Sequence, residues 1–168
     1  MKLKLFFLCF LFSICANAQI QRQFFGFTLG ITNKQQVVNN FKNKGKNVVK
    51  KDDDIVVRKL KFGGLEWEEV HFFFHENKLY EVFFNSNSDT YNKNYLDSRR
   101  DMLLELLDKK YLQFYDSDYS DDEGKFYTDH ITVVKFVYKY YNGKWYQSLI
   151  YGDSALLNAI NESSLDEL

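Results

Sequence analysis

Residues 27–86 of this chain are echoed, at a constant offset, by residues 93–152. Moving the sequence by 66 positions lays Val37, Val38 and Phe41 on Leu103, Leu104 and Leu107. The same shift lays Val70, Phe72 and Phe74 on Phe136, Tyr138 and Tyr140, and Lys78-Leu79-Tyr80 on Lys144-Trp145-Tyr146. An apolar pattern held from a helical stretch through a hairpin predicts one αβ unit used twice within a single domain. That constrains the fold more than any motif in the chain, and no motif announces a reaction.

Each copy shows the same local signals. In the first, Thr32-Asn33-Lys34-Gln35 has the form of a capping box, Val37, Val38 and Phe41 recur at helical spacing, and Gly45 supplies a stop. Asn47–Lys50, Ile55–Phe62, Leu65–His75 and Leu79–Asn85 follow, rich in β-branched and aromatic residues and punctuated by Asp52-Asp53-Asp54, Gly63-Gly64 and Glu76-Asn77. In the second, Tyr95–Lys110 reads as a longer amphipathic helix, with Leu96, Leu103, Leu104 and Leu107 on one side. Strand-like segments are predicted at Tyr111–Tyr115, Phe126–Tyr141 and Trp145–Tyr151, the last two joined by the hairpin signal Asn142-Gly143. Asp153-Ser154 caps a closing helix from about Ala155 to Ile160. The expected architecture is α+β, with two tandem helix-plus-meander units building a curved antiparallel sheet and helices packed on one face. Proline is absent, and the polar connection at residues 86–94 is too short to separate two domains.

Residues 1–18 read as an export leader. Lys2 and Lys4 precede the apolar run Leu5 to Ile14, and Ala16-Asn17-Ala18 supplies a small–x–small cleavage pattern. The run is too short for about 30 Å of hydrocarbon, so no membrane span is expected in the mature chain. Lipid attachment at Cys15 is the rival, but Ile14 stands where such sites carry a small residue. Cleavage after Ala18 leaves a single domain, 19–168, bound for the periplasm or the extracellular space. It also removes both cysteines, Cys9 and Cys15, and with them disulfides, thiolate catalysis and Cys-type zinc sites. Without Lys2 and Lys4, 20 basic residues face 23 acidic ones, which is no nucleic-acid footprint.

Candidate chemistry is thin. His71 and His75 are spaced to share a metal on a helix, but on a strand four residues span roughly 13 Å, too far for one zinc. Glu66 and Glu68, about 7 Å apart on one strand face, superficially suit glycosidase carboxylates. Glu68 and Glu69, however, map in the echo to Val134 and Lys135, so no repeated acid exists. Asp116 to Gly124 is an acidic loop that fails the EF-hand pattern, because its sixth and twelfth places hold Asp121 and Tyr127. Neither a nucleophile elbow nor a phosphate-binding loop occurs. No catalytic residue, cofactor or metal is therefore expected. What remains is aromatic. Phe72-Phe73-Phe74 must point to both faces of a sheet, so an aromatic patch is expected on the open side, with Trp67, Tyr138 and Trp145 its foremost binding candidates.

Phe25-Gly26-Phe27-Thr28-Leu29-Gly30-Ile31-Thr32, followed by Gln36-Val37, resembles the opening of small exported outer-membrane assembly proteins of the SmpA/OmlA type and of β-lactamase-inhibitor-protein-like domains. The tandem helix-plus-meander plan resembles the latter. The mature chain is also similar to small secreted proteins of unknown function from anaerobic gut bacteria. They share the leader, an F-x-G-x-x-L-G opening, a helix ending in Lys44-Gly45, a Lys109-Lys110-Tyr111 helix exit and an acidic C-terminus. The shared positions are structural, so no active site is carried over. The resulting expectation is an exported, non-enzymatic binding module that engages a protein or cell-envelope partner through an aromatic sheet face. The resemblance implies an inhibitor-like version of it. The alternative is a small secreted hydrolase using carboxylates or histidine on the sheet.

Overall fold

A computed structural model describes residues 19–52, 54–89 and 91–165. The expected leader, with Cys9, Cys15 and the cleavage pattern, lies outside the described residues. The chain begins with a small hairpin, β1 (Gln23–Phe24) and β2 (Phe27–Thr28). Helix α1 (Lys34–Asn43) is followed by β3 (Val48–Lys50), β4 (Asp54–Phe62), β5 (Leu65–His75) and β6 (Lys78–Asn87). Helix α2 (Lys93–Tyr111) then leads, through a short 3₁₀ turn, to β7 (Tyr115–Asp121), β8 (Gly124–Thr128), β9 (Thr132–Tyr141) and β10 (Lys144–Asp153). Helix α3 (Ser154–Leu165) closes the chain.

The eight strands form one antiparallel sheet in the order β3-β4-β5-β6-β10-β9-β8-β7. This is an α+β fold, and the strand order runs inward through the first unit and outward through the second. The two units meet along β6 and β10, where Phe84 lies opposite Leu149. The echo holds in the structure with one correction. Phe73 pairs with Glu81 and Phe74 with Leu79, so Tyr80 is an extra residue, a β-bulge in β6. Beyond it, corresponding residues are 65 apart, and Phe84 matches Leu149, its own partner across the centre. An approximate two-fold axis therefore passes between those two side chains.

Alternation along the strands separates two faces. The covered face carries Val57, Val70, Phe72, Val82, Phe84, Leu149, Tyr151, Val134 and Phe136, all buried. Helix α1 places Val37, Val38 and Phe41 on it, and α2 places Leu96, Leu103, Leu107 and Tyr111. Each such side chain, fully buried, contributes about 1.5–3 kcal/mol. The F-x-G-x-x-L-G opening belongs to this core. Its phenylalanines wedge between helix and sheet, Phe24 with Tyr151 at 4.7 Å, and Phe27 with Phe41 at 5.4 Å and with Phe72 at 5.8 Å between ring centroids.

Three boundaries differ from the sequence reading. The capping box starts one residue later: Gln36 N donates to Asn33 Oδ1 and Asn33 N to Gln36 Oε1, both at 2.9 Å. Thr32 instead accepts from Thr28 N at 2.8 Å, holding the β2 end. The segment Phe126–Tyr141 is two strands, broken where His130 adopts φ 67° and Asp129 Oδ1 accepts from Ile131 N and Thr132 N. Finally, most of the acidic stretch from Asp116 is edge strand β7, and Tyr111 is still helical.

Helix α3 lies outside the echo. Asp153 Oδ1 caps it by accepting from Leu156 N at 3.0 Å, and Asp153 also pairs with Arg22. Gly152 sits at the join. A Cβ there would lie 2.6 Å from Leu157 Cδ1 and 3.0 Å from Val133 Cγ2, so Leu157 rests on the sheet where a side chain would otherwise stand. Val133 belongs to the face that α1 and α2 leave uncovered, and α3 therefore begins over one end of that open face. Among the described residues, no helix is long and apolar enough to cross a membrane.

Candidate functional site

All three aromatic candidates lie on the covered side. Trp67 has no exposed surface. The guanidinium of Arg99, itself buried on α2, lies 4.2 Å from its ring centroid and donates to the Glu66 carbonyl at 2.6 Å. Tyr138 is 7% exposed, and its hydroxyl donates to Asp97 of α2 at 2.5 Å. Trp145 stacks on Tyr138 at 5.0 Å beneath Lys93. These residues tie α2 to the sheet, and the expectation that they stand on the open face is corrected. The signal was present in β9. Lys135 and Lys139 alternate with Val134, Phe136 and Tyr138, and two lysines on one parity place Tyr138 on the other, inward parity. Trp67 was harder to place, because the inward phase of β4 and β5 shifts where Lys59 takes φ 54°.

The open face is read from register. One row crosses six strands: Val56, His71, Phe83, Ile150, Lys135 and Phe126 are successive partners. The next row runs Arg58, Glu69, Asn85, Ser148, Val137 and Gly124, and beyond it Asn87 faces Tyr146, which faces Lys139. Phe83, Val137, Tyr146 and Ile150 are half-buried although neither α1 nor α2 lies above them, and Tyr141 is 60% exposed. Together with Lys135 and Lys139 they line a groove of about 500 Å³. Two cations and no carboxylate line it. Chemically, the groove offers apolar and aromatic contact bordered by ammonium groups.

Toward β4 the same face turns acidic. His71 Nδ1 lies 2.7 Å from Asp54 Oδ2, and its Nε2 lies 3.4 Å from Glu69 Oε2. Glu69 also binds Arg58 at 2.8 Å, and the His71 ring stacks on Phe73 at 5.8 Å. His71 thus belongs to a satisfied network, whereas His75 stands at the strand end opposite Lys78. Glu81, between Phe73 and Gly152 in its row, is pushed up to about 7 by burial. Glu66 is exposed and Glu68 half-buried. In the acidic stretch the carboxylates serve the backbone: Asp116 Oδ1 accepts from Asp118 N and Asp121 Oδ1 from Glu123 N. Among the described residues, no group of three or more His, Cys, Asp or Glu could hold a metal ion.

The chain matches no protein-family model, no curated protein and no solved structure. The geometry of the open face is therefore the ground for a functional reading.

Proposed function

We propose that this protein is an exported, non-enzymatic binding module whose open sheet face, centred on Phe83, Tyr146 and Ile150 and bordered by Lys135 and Lys139, receives a protein partner of the cell envelope or its surroundings. The observation that carries this reading is the basic, apolar groove on the uncovered side of the sheet. Exposed apolar surface gathered in one place is the usual mark of an interaction site, and rigid strands hold it with little ordering cost on binding. The two lysines, without a carboxylate beside them in the groove, complement an acidic partner surface with an apolar centre. The likeness of the tandem plan to β-lactamase-inhibitor-protein-like domains supports an inhibitor-like version, in which the face docks on a secreted or periplasmic enzyme. Export rests on the leader pattern of residues 1–18.

The test is capture from envelope fractions with matched variants. A partner retained by the wild type and by Trp145→Ala, but lost by Phe83→Ala/Tyr146→Ala and by Lys135→Glu/Lys139→Glu, supports the reading. Retention of every captured protein by both open-face variants, while they remain folded, overturns it. A small hydrolase is the second reading, and the observation that favours it is the His71–Asp54 pair on the same face. Hydrolytic turnover abolished by His71→Ala, with no partner captured, would select it.

A further inference from the structure

On the covered side, the C-terminal half of α2 stands away from the sheet and leaves a cavity of about 590 Å³. We infer that this cavity is a binding site for a single-chain amphiphile with an anionic head group, of the free fatty acid class. Its floor is Trp67 and Leu149, and its helical wall is Leu103 and Leu107, all buried. Leu106 stands at the rim 46% exposed, an apolar side chain left for an occupant to cover. The volume falls within the range of small-ligand sites. At about 30 Å³ for each water-sized group, it takes a chain of about a dozen carbons with room to spare.

The head-group chemistry follows from the mouth. Lys109 and Lys110 are the charged residues lining the cavity, and no carboxylate accompanies them. Elsewhere on α2 the exposed cations are matched, Lys93 by Asp97 and Arg100 by Asp97 and Asp101. Among the described residues, neither Lys109 nor Lys110 makes an ion pair. Lys110 Nζ donates only to the neutral amide of Gln21, at 2.9 Å. Lysines in a last turn also suit the helix dipole, but here they border an apolar pocket. An acyl chain would lie along Trp67 with its carboxylate between the two ammonium groups. Nothing in this arrangement involves the open sheet face, so the inference stands apart from the proposed partner site.

The test titrates the protein carrying Trp145→Phe, in which Trp67 is the remaining tryptophan, with dansyl-undecanoic acid. Saturable energy transfer from Trp67 to the dansyl group, reversed by dodecanoate, is expected. Lys109→Glu/Lys110→Glu should weaken dodecanoate about tenfold, which corresponds to roughly 1.4 kcal/mol, and leave dodecanol binding unchanged. Retained dodecanol binding also reports an intact cavity. Leu106→Glu should weaken both ligands, and Phe83→Ala/Tyr146→Ala neither. Absence of saturable transfer overturns the inference. So does dodecanoate binding that is indifferent to the lysine reversals, or preference for a zwitterionic lysophospholipid over the free acid.

Discussion

Glu81 couples the chemistry of one side chain to the stability of the fold. It sits on the open face in the row with Phe73 and Gly152, and burial raises its carboxyl from 4.5 to about 7. Between those values the folded protein keeps a proton that the unfolded chain has released. Stability from this residue is therefore fully present below pH 4.5 and is lost as pH rises through 7. At 1.36 kcal/mol per unit, the loss is about 3 kcal/mol. Urea unfolding of wild type and Glu81→Gln across pH 4.5–8 should show the variant gaining on wild type up to pH 7 and holding a constant lead above it. Gly152 makes a second demand at this scale. An added Cβ meets Leu157 at 2.6 Å, so Gly152→Ala must push the start of α3 off the sheet. The expected cost is about 1–3 kcal/mol, as for other overpacked sites, read by thermal unfolding.

Helix α2 is the element on which the covered face depends. Two phenols reach up to its carboxylates, Tyr138 to Asp97 at 2.5 Å and Tyr127 to Asp108 at 2.7 Å. Burial pulls Asp108 upward, but hydrogen bonds from Lys125 and Tyr127 outweigh it and hold the carboxyl below its ordinary value. Tyr127→Phe and Tyr138→Phe should each cost about 1–2 kcal/mol, the worth of a hydrogen bond to a charged acceptor. Arg99→Ala should cost more, about 3 kcal/mol, because it uncovers Trp67 and leaves the Glu66 carbonyl without its donor. Denaturant midpoints measure all three. At this scale the sequence was most informative where periodicity is strong. Val37, Val38 and Phe41 announce α1, and the alternation in β9 and β10 announces the central hairpin. Edge strand β7 was illegible because Tyr115–Asp121 carries no buried apolar residue, and its charges, which protect an exposed edge, read as loop. The break at Asp129-His130 was hidden because it depends on one side-chain turn and one left-handed residue.

For the whole molecule, duplication explains both the order of the strands and the choice of site. Two αβ units joined along β6 and β10 place both of their helices on one side, so the other side of the central strands is left to whatever binds there. The echo was readable in sequence, as was the scaffold character of what it repeats. The face assignments of Trp67, Tyr138 and Trp145 were not read correctly, because aromatic identity was weighted above strand parity, and the bulge at Tyr80 and the turn of phase at Lys59 interrupt parity. The account's central claim is that the open face, and not the helical side, meets the partner. The most direct measurement places a benzophenone amino acid at Tyr146, at Phe83, or at exposed Glu105 on α2, and irradiates cells exporting each variant. The account predicts the same discrete adduct from Tyr146 and Phe83 and none from Glu105; an adduct from Glu105 with none from either open-face position would contradict it.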